Sequence, residues 1–318
     1  MAAEQFQALR NYLDSQVLGQ PDFTESLLIA LLADGHLLVE GPPGLAKTRA
    51  VNALAKGVEG SFHRVQFTPD LLPADLTGTD IYRPETGEFV FQQGPLFHNI
   101  ILADEINRAP AKVQSALLEA MAERQITVGQ KTYKLPPLFM VLATQNPLEQ
   151  EGTYPLPEAQ LDRFIMHLNL GYPDADTERD ILRLTRGEEL QGQADMPKPL
   201  QQEDIFSARK DVLGIYMDDA VENYLVQLII ATREPSFYSS DLARWINYGA
   251  SPRATIALDR CARARAWLQQ RDYVTPDDIH AVYAKVLRHR IILSYQAEAD
   301  GISTDQVLAQ IIELVPAP

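Results

Sequence analysis

The sequence predicts an α/β fold, a mostly parallel sheet between helical layers, followed by a smaller all-α domain. Three observations predict it. Short apolar runs at His36–Glu40, Phe62–Phe67, Asn99–Ala103, Leu138–Ala143 and Phe164–Leu170 read as buried strands. Between the third and fourth, Val113, Ala116, Leu117, Ala120 and Met121 form the i, i+3, i+4, i+7, i+8 stripe of a helix lying on a sheet. After Gly171-Tyr-Pro-Asp174 the strand signal fades, and helical stripes take over. A chain of 318 residues suits about two domains, which we place at 1–173 and 174–318.

In chain order, the first strand runs into Gly41-Pro-Pro-Gly-Leu-Ala-Lys-Thr48, which opens a helix reaching about Lys56, with Gly57 closing it. Asp80–Arg83 and Glu88–Phe91 flank the turn-rich Pro84-Glu-Thr-Gly87 and read as a hairpin. Gln125–Val128 and Lys131–Leu135, around Gly129-Gln130, read as another. Standing off an α/β core, both are candidate contact devices. In the second domain, one stripe comprises Val221, Tyr224, Leu225, Leu228 and Ile229, and another Ala257, Cys261, Ala264 and Leu268. Thr275-Pro-Asp-Asp278 starts a helix: Thr caps, Pro suits the first position, and the acids favour the positive dipole end. Gly187–Pro199 reads as an exposed loop.

Composition narrows the function. Against 43 acidic residues stand 28 Lys and Arg, a formal charge of −15. Nucleic-acid affinity rests largely on cations neutralising phosphates, so no nucleic-acid partner is expected. Cys261 is the single cysteine, which excludes an intrachain disulfide framework and a four-cysteine zinc site. No H-E-x-x-H spacing or paired ligand spacing links the six histidines, and no Gly-x-Ser-x-Gly elbow occurs. The N-terminus lacks a signal pattern, and Leu27–Ala33 is far shorter than the roughly 20 apolar residues of a membrane span. A cytoplasmic protein without membrane insertion is expected.

Two motifs carry chemistry. A Gly-rich turn between strand and helix, here Gly41, Pro42, Pro43, Gly44, Leu45 and Ala46, presents backbone N–H groups as an anion nest. In such a nest Lys47 reaches terminal phosphates and the Thr48 hydroxyl sits on Mg²⁺. The general pattern is G-x-x-x-x-G-K-[ST], with Ala46 here in place of the last Gly. A methyl there costs little if that residue already has helical dihedrals. The second motif is Asp104-Glu105, two acids at the end of an apolar strand. Nucleotide hydrolysis uses one carboxylate to hold hydrated Mg²⁺, suiting Asp104, and one to orient the attacking water, suiting Glu105. The doublets Glu188-Glu189, Asp218-Asp219 and Asp277-Asp278 read instead as solvated faces or helix starts. Asp75-Leu-Thr-Gly-Thr79 looks like a phosphorylated ion-pump loop but lacks its Lys, and reads as a turn.

With these motifs the sequence resembles the AAA+ ATPases, and within them the MoxR family of the helix-2-insert clade. The runs that carry the resemblance are Phe67-Thr-Pro-Asp-Leu-Leu-Pro73, Ala103-Asp-Glu-Ile-Asn-Arg108-Ala-Pro110, Ala143-Thr-Gln-Asn-Pro147, Glu151-Gly-Thr-Tyr-Pro-Leu-Pro157, Gln160-Leu-Asp-Arg163-Phe164 and Gly249-Ala-Ser-Pro-Arg253-Ala254. The resemblance implies that Asn146 is the sensor-1 residue helping to place water, and that Arg163 is an arginine finger donated to a neighbouring subunit. It implies that Arg253 is sensor 2 in the lid, and that Val17-Leu-Gly19-Gln20 lies against adenine. The first hairpin matches the family's helix-2 insertion and the second its hairpin before sensor 1. It further implies ATP and Mg²⁺ as cofactors, a homo-oligomer that is a hexamer, a von Willebrand factor A-type partner and a protein client. The expected function is ATP hydrolysis coupled to chaperone-like remodelling, maturation, or metal or cofactor insertion. The rivals are an ATP-dependent scaffold with incidental turnover, a DNA-acting motor and a small-molecule kinase. Arg108 reads as either a second interfacial arginine or a surface charge.

Overall fold

A computed structural model describes residues 2–147, 152–191 and 196–318. Helices α1 (Ala2–Gln16) and α2 (Pro21–Leu32) precede the first strand. Then follow β1 (Leu37–Glu40), α3 (Lys47–Lys56), β2 (Phe62–Gln66), α4 (Pro73–Thr77), the hairpin β3 (Gly78–Arg83) and β4 (Glu88–Gln93), and β5 (Ile100–Asp104). Next come α5 (Ala111–Glu123), the hairpin β6 (Gln125–Val128) and β7 (Lys131–Lys134), β8 (Met140–Gln145), α6 (Glu158–Leu161) and β9 (Met166–Asn169). The remainder comprises α7 (Ala175–Gln191), α8 (Gln202–Gly214), α9 (Asp219–Arg233), α10 (Ser240–Trp245), β10 (Ile246–Tyr248), α11 (Pro252–Leu268), α12 (Pro276–Leu287), β11 (Ile292–Leu293), α13 (Tyr295–Ala299) and α14 (Thr304–Leu314).

The five expected core strands form one parallel sheet in the order β2-β5-β8-β1-β9. Strand side chains alternate between faces, and the core divides accordingly. Leu38, Ile101, Ala103 and Val141 meet Val113 and Leu117 of α5 on one face. On the other, Leu37, Val39, Leu102 and Leu142 join α1 to α3 in a cluster continuing into Leu225, Leu258 and Ile279 of the helical region. The sheet's last strand in chain order ends at Asn169 and helices follow from Ala175, with apolar packing running across that change. Pairing aligns the strand C-termini, Val39 with Thr144 and Gln66 with Asp104, at the edge where ligands bind in such sheets.

Three local expectations need correcting or confining. The second region is not purely helical, because β10 and β11 pair as a short antiparallel ribbon. Gly187 to Gln191 are the end of α7 rather than loop, and 192–195 lie outside the described residues. Glu151 of the Glu151–Pro157 run also lies outside them. Thr275 caps α12 through a capping box with Asp278, as its sequence indicates. The Asp75–Thr79 run is the end of α4 and the start of β3, and Cys261 is fully buried in the core. No helix among the described residues is long and apolar enough to cross a membrane. The two hairpins touch: Phe91 stacks on Tyr133 with centroids 4.1 Å apart. The outer end of the first hairpin exposes Tyr82 and Phe89.

Candidate functional site

The site begins where β1 ends. Gly41 donates its N–H to the Gln145 carbonyl at 3.3 Å, and a Cβ on Gly41 would stand 2.8 Å from the Leu170 carbonyl oxygen. Ala46 lies in the left-handed region, at φ 54° and ψ 17°, so it has not entered the helix. For a residue with a Cβ, that conformation costs about 1–2 kcal/mol. Lys47 folds back on the loop, its Nζ donating to the Gly41 carbonyl at 2.7 Å. Burial draws the Lys47 pKa below its ordinary value, and the charges of Asp104, Glu105 and Glu40 partly oppose that.

The two acids are fastened differently. Asp104 Oδ2 accepts from Arg64 Nη2 at 2.6 Å and Nε at 3.1 Å, and its Oδ1 from the Thr144 hydroxyl at 2.6 Å. Glu105 is left-handed at φ 56° and ψ 51°, and donates its backbone N–H to Thr144 Oγ1 at 2.9 Å. Its Oε2 accepts from Gln66 Nε2 at 2.7 Å and Arg108 Nη1 at 3.0 Å. Pro43 to Thr48, Asp104, Glu105 and Asn146 line one cavity of about 440 Å³. Arg64, Gln66 and Thr144 line it too, and sequence reasoning missed all three. A signal existed for two of them: alternation in β2 puts Arg64 and Gln66 on one face at the strand's C-terminal half.

A second cavity, of about 290 Å³, adjoins the first over Pro43–Ala46. Leu18, Leu45, Ile181 and Leu184 give it apolar walls, and Gln16, Gln20 and Tyr172 contribute polar atoms. Val17 is 2% exposed and lies in the core instead. Gly19 sits at φ 74°, where a Cβ would be 2.3 Å from Thr177 Cγ2, so its lack of a side chain lets α7 approach. Arg49, one residue past Thr48, forms a two-pronged ion pair with Glu188 of α7. That pair holds the Glu188 carboxyl below the usual carboxylate range. Glu188 therefore bridges α7 to the phosphate-loop helix rather than lying on a solvated face.

The remaining predicted residues stand apart. Arg163 donates from Nη1 to the Leu118 carbonyl at 2.6 Å, and it lines neither cavity. Arg253, exposed on the first turn of α11, lies 4.0 Å from Asp162 and also lines neither. Asp162, adjacent to Arg163, accepts from Ser251 Oγ at 3.0 Å and Arg290 Nε at 2.7 Å. Lys47, Thr48, Asp104, Glu105 and Asn146 thus converge, while the two arginines share a separate edge.

An anion nest facing two strand-end carboxylates across one cavity is an arrangement that suits a nucleotide, and comparisons with known proteins identify the chain's family. Residues 36–166 match the family model of the ATPase family associated with various cellular activities (AAA), and 241–311 match the AAA lid domain. The chain is 45% identical to Chaperone MoxR1 of Mycobacterium tuberculosis, covering 95% of this chain and 79% of that protein. It is 35% identical to Protein MoxR of Methylorubrum extorquens, over 95% of this chain and 92% of that one. A crystal structure from Cytophaga hutchinsonii, described as a candidate ATPase, superposes with a TM-score of 0.92 at 47% identity, covering 100% of this chain and 96% of that one. The parallel sheet with its phosphate loop, the helical lid and these relatives together establish that the chain belongs to the MoxR family of chaperone-like AAA+ ATPases.

Proposed function

We propose that the chain hydrolyses Mg²⁺-ATP within a hexameric ring and uses the cycle to remodel or mature a protein partner, metal or cofactor insertion included. The observation that carries this reading is the separation just described: the phosphate loop and acids share a cavity that Arg163 does not line. The donor set fits Mg²⁺, which takes one or two protein ligands plus phosphate and water oxygens. Among the described residues no group of three His, Cys, Asp or Glu could hold a metal unaided. Thr48 and Asp104 would hold it, and the ion would neutralise charge on the β- and γ-phosphates. Lys47 leaves the Gly41 carbonyl for the terminal phosphates. Glu105 and Asn146 orient water, with Glu105 first released from Gln66 and Arg108. Arg163 serves a neighbouring subunit's nucleotide, an effect worth roughly 10³–10⁵ in rate for arginine fingers. Arg253, on the same edge, accompanies it. The hairpins meet the client, and a von Willebrand factor A-type protein is the expected partner, in the cytoplasm.

Mixed rings test this. Lys47→Ala alone should not bind ATP, and Arg163→Ala alone should bind but barely hydrolyse it. Rings containing both should recover turnover, since an intact site then borders an intact finger. Absence of recovery in rings shown by mass spectrometry to be mixed would refute a finger acting between subunits.

A further inference from the structure

Beside the smaller cavity lies a buried hydrogen-bond donor without a partner among the described residues. Gln16 ends α1, is 5% exposed, and lines that cavity. Its Oε1 accepts from Arg49 Nη2 at 3.0 Å, which fixes the orientation of the amide. Arg49 is itself held by both carboxylate oxygens of Glu188. With the oxygen committed to a guanidinium, only the NH₂ end remains. That nitrogen, Nε2, is buried and has no hydrogen-bond partner among the described residues. Arg49 Nε, beside it in the same network, is a second buried donor without one. Buried donors are nearly always satisfied, so such a group points to a missing acceptor.

The surroundings say what kind of acceptor. Leu18, Leu45, Ile181 and Leu184 present apolar surface suited to the faces of a planar ring. Pro43–Ala46 of the phosphate loop also line this cavity and continue into the larger one. A nucleotide with its phosphates on the loop therefore places its base beside Gln16. Adenine offers unprotonated ring nitrogens in its plane as acceptors. We propose that Gln16 reads the base: its Nε2–H donates to a ring nitrogen of adenine, after a small side-chain shift toward the cavity. Arg49 and Glu188 are positioning residues that keep the amide from flipping. The assignment rests on the ATP-binding reading above.

Calorimetric titration of the full chain tests it, in a Glu105→Gln background that blocks turnover. The ligands are ATP and its 1-deaza, 3-deaza and 7-deaza analogues, each lacking one ring nitrogen. One analogue should bind about tenfold more weakly than ATP, as befits the loss of one hydrogen bond with its donor left buried. In Gln16→Glu, which keeps an acceptor for Arg49 but has no NH₂, and in Gln16→Met, that difference should vanish. Equal binding of all three analogues and ATP to the Glu105→Gln protein overturns the proposal without needing a Gln16 variant to fold. So does a Gln16 substitution that weakens ATP and every analogue alike, which marks a purely structural role. Lys47→Ala separates the two readings. If it binds ATP as before, the phosphate-loop assignment falls and takes this inference with it; if it loses ATP while the analogues match ATP, only the role of Gln16 falls.

Discussion

Asp162→Asn should uncouple the helical region from the segment that carries Arg163. Arg290 follows α12 with its side chain only 3% exposed. Its Nε donates to Asp162 Oδ1 at 2.7 Å, and its other N–H groups to the carbonyls of Phe164 at 2.7 Å, Ile165 at 3.1 Å, Asp162 at 3.2 Å and Val286. Burial pulls the Arg290 pKa down, and the Asp162 carboxylate is what opposes it. Removing one partner of a buried pair costs about 3–5 kcal/mol, because the other charge stays buried. Asn retains an oxygen acceptor, so its cost falls near about 3 kcal/mol, and Asp162→Ala near about 5 kcal/mol. Unfolding entropy of about 2.1 cal/mol/K per residue over 318 residues converts these to drops in Tm of about 4.5 and about 7.5 °C. Thermal unfolding measures them. Neither Asp162 nor Arg290 lines the two cavities, so ATP affinity should hold while ring turnover falls. A Tm within about 1 °C of wild type would refute the dependence of Arg290 on this carboxylate. Weaker ATP binding with unchanged turnover would refute the functional separation of this network from the nucleotide.

Two further outcomes follow from single positions. Ala46→Gly relieves the left-handed methyl at φ 54° and should stabilise the chain by about 1 kcal/mol, with ATP binding kept; a lower urea midpoint would contradict this. Asp278, fully buried, would be pushed up by burial, but hydrogen bonds from Arg271 and from the backbone and hydroxyl of Thr275 outweigh that and depress its pKa. Its stabilisation is therefore present above the unfolded carboxylate value of about 3.9 and is lost as pH falls through the depressed folded value. The stability gap between wild type and Asp278→Asn, read by denaturant unfolding at pH 7, 5 and 3, should narrow at the lowest pH, and a constant gap would refute the assignment.

What could be read in advance follows from what is local. Strands β1, β5 and β8 are apolar runs buried along nearly their whole length, and the Gly41–Thr48 loop and the Asp104-Glu105 pair are contiguous motifs at strand ends, so the local sequence reveals them. Arg64, Gln66 and Thr144 reach the site only through pairing of β2, β5 and β8, and no local pattern announces that Thr144 will bridge Asp104 and Glu105. Arg49 and Glu188 meet across 139 positions, so Glu188 looks like any helix-surface acid. In Val17–Gln20 no local pattern shows which residues face outward. Leu18 and Gln20 line the cavity, while Val17 packs in the core and Gly19 admits Thr177.

Backbone strain separates function from packing more sharply than burial does. Among the described residues, Asp34, Ala46, Glu105, Arg124 and Gln270 are the non-glycine residues with positive φ. Arg124 caps α5, and Asp34 and Gln270 each lie just past the cap of α2 or α11, where a left-handed residue ends a helix in the ordinary way. Ala46 and Glu105 do the opposite. Each stands where a helical segment begins, at a position that usually favours extended backbone. Both lie between a strand of the same sheet and the helical segment that follows it, and both line the same cavity. The left-handed turn at 46 lets α3 begin at Lys47 beside the anion nest, and the one at 105 brings its N–H to Thr144, which also fixes Asp104. A glycine would relieve either. At 46 nothing but the methyl would be lost, so the substitution can be made and measured. At 105 the side chain is the proposed water-orienting carboxylate, so there the chemistry and the strain belong to one residue and cannot be separated by substitution.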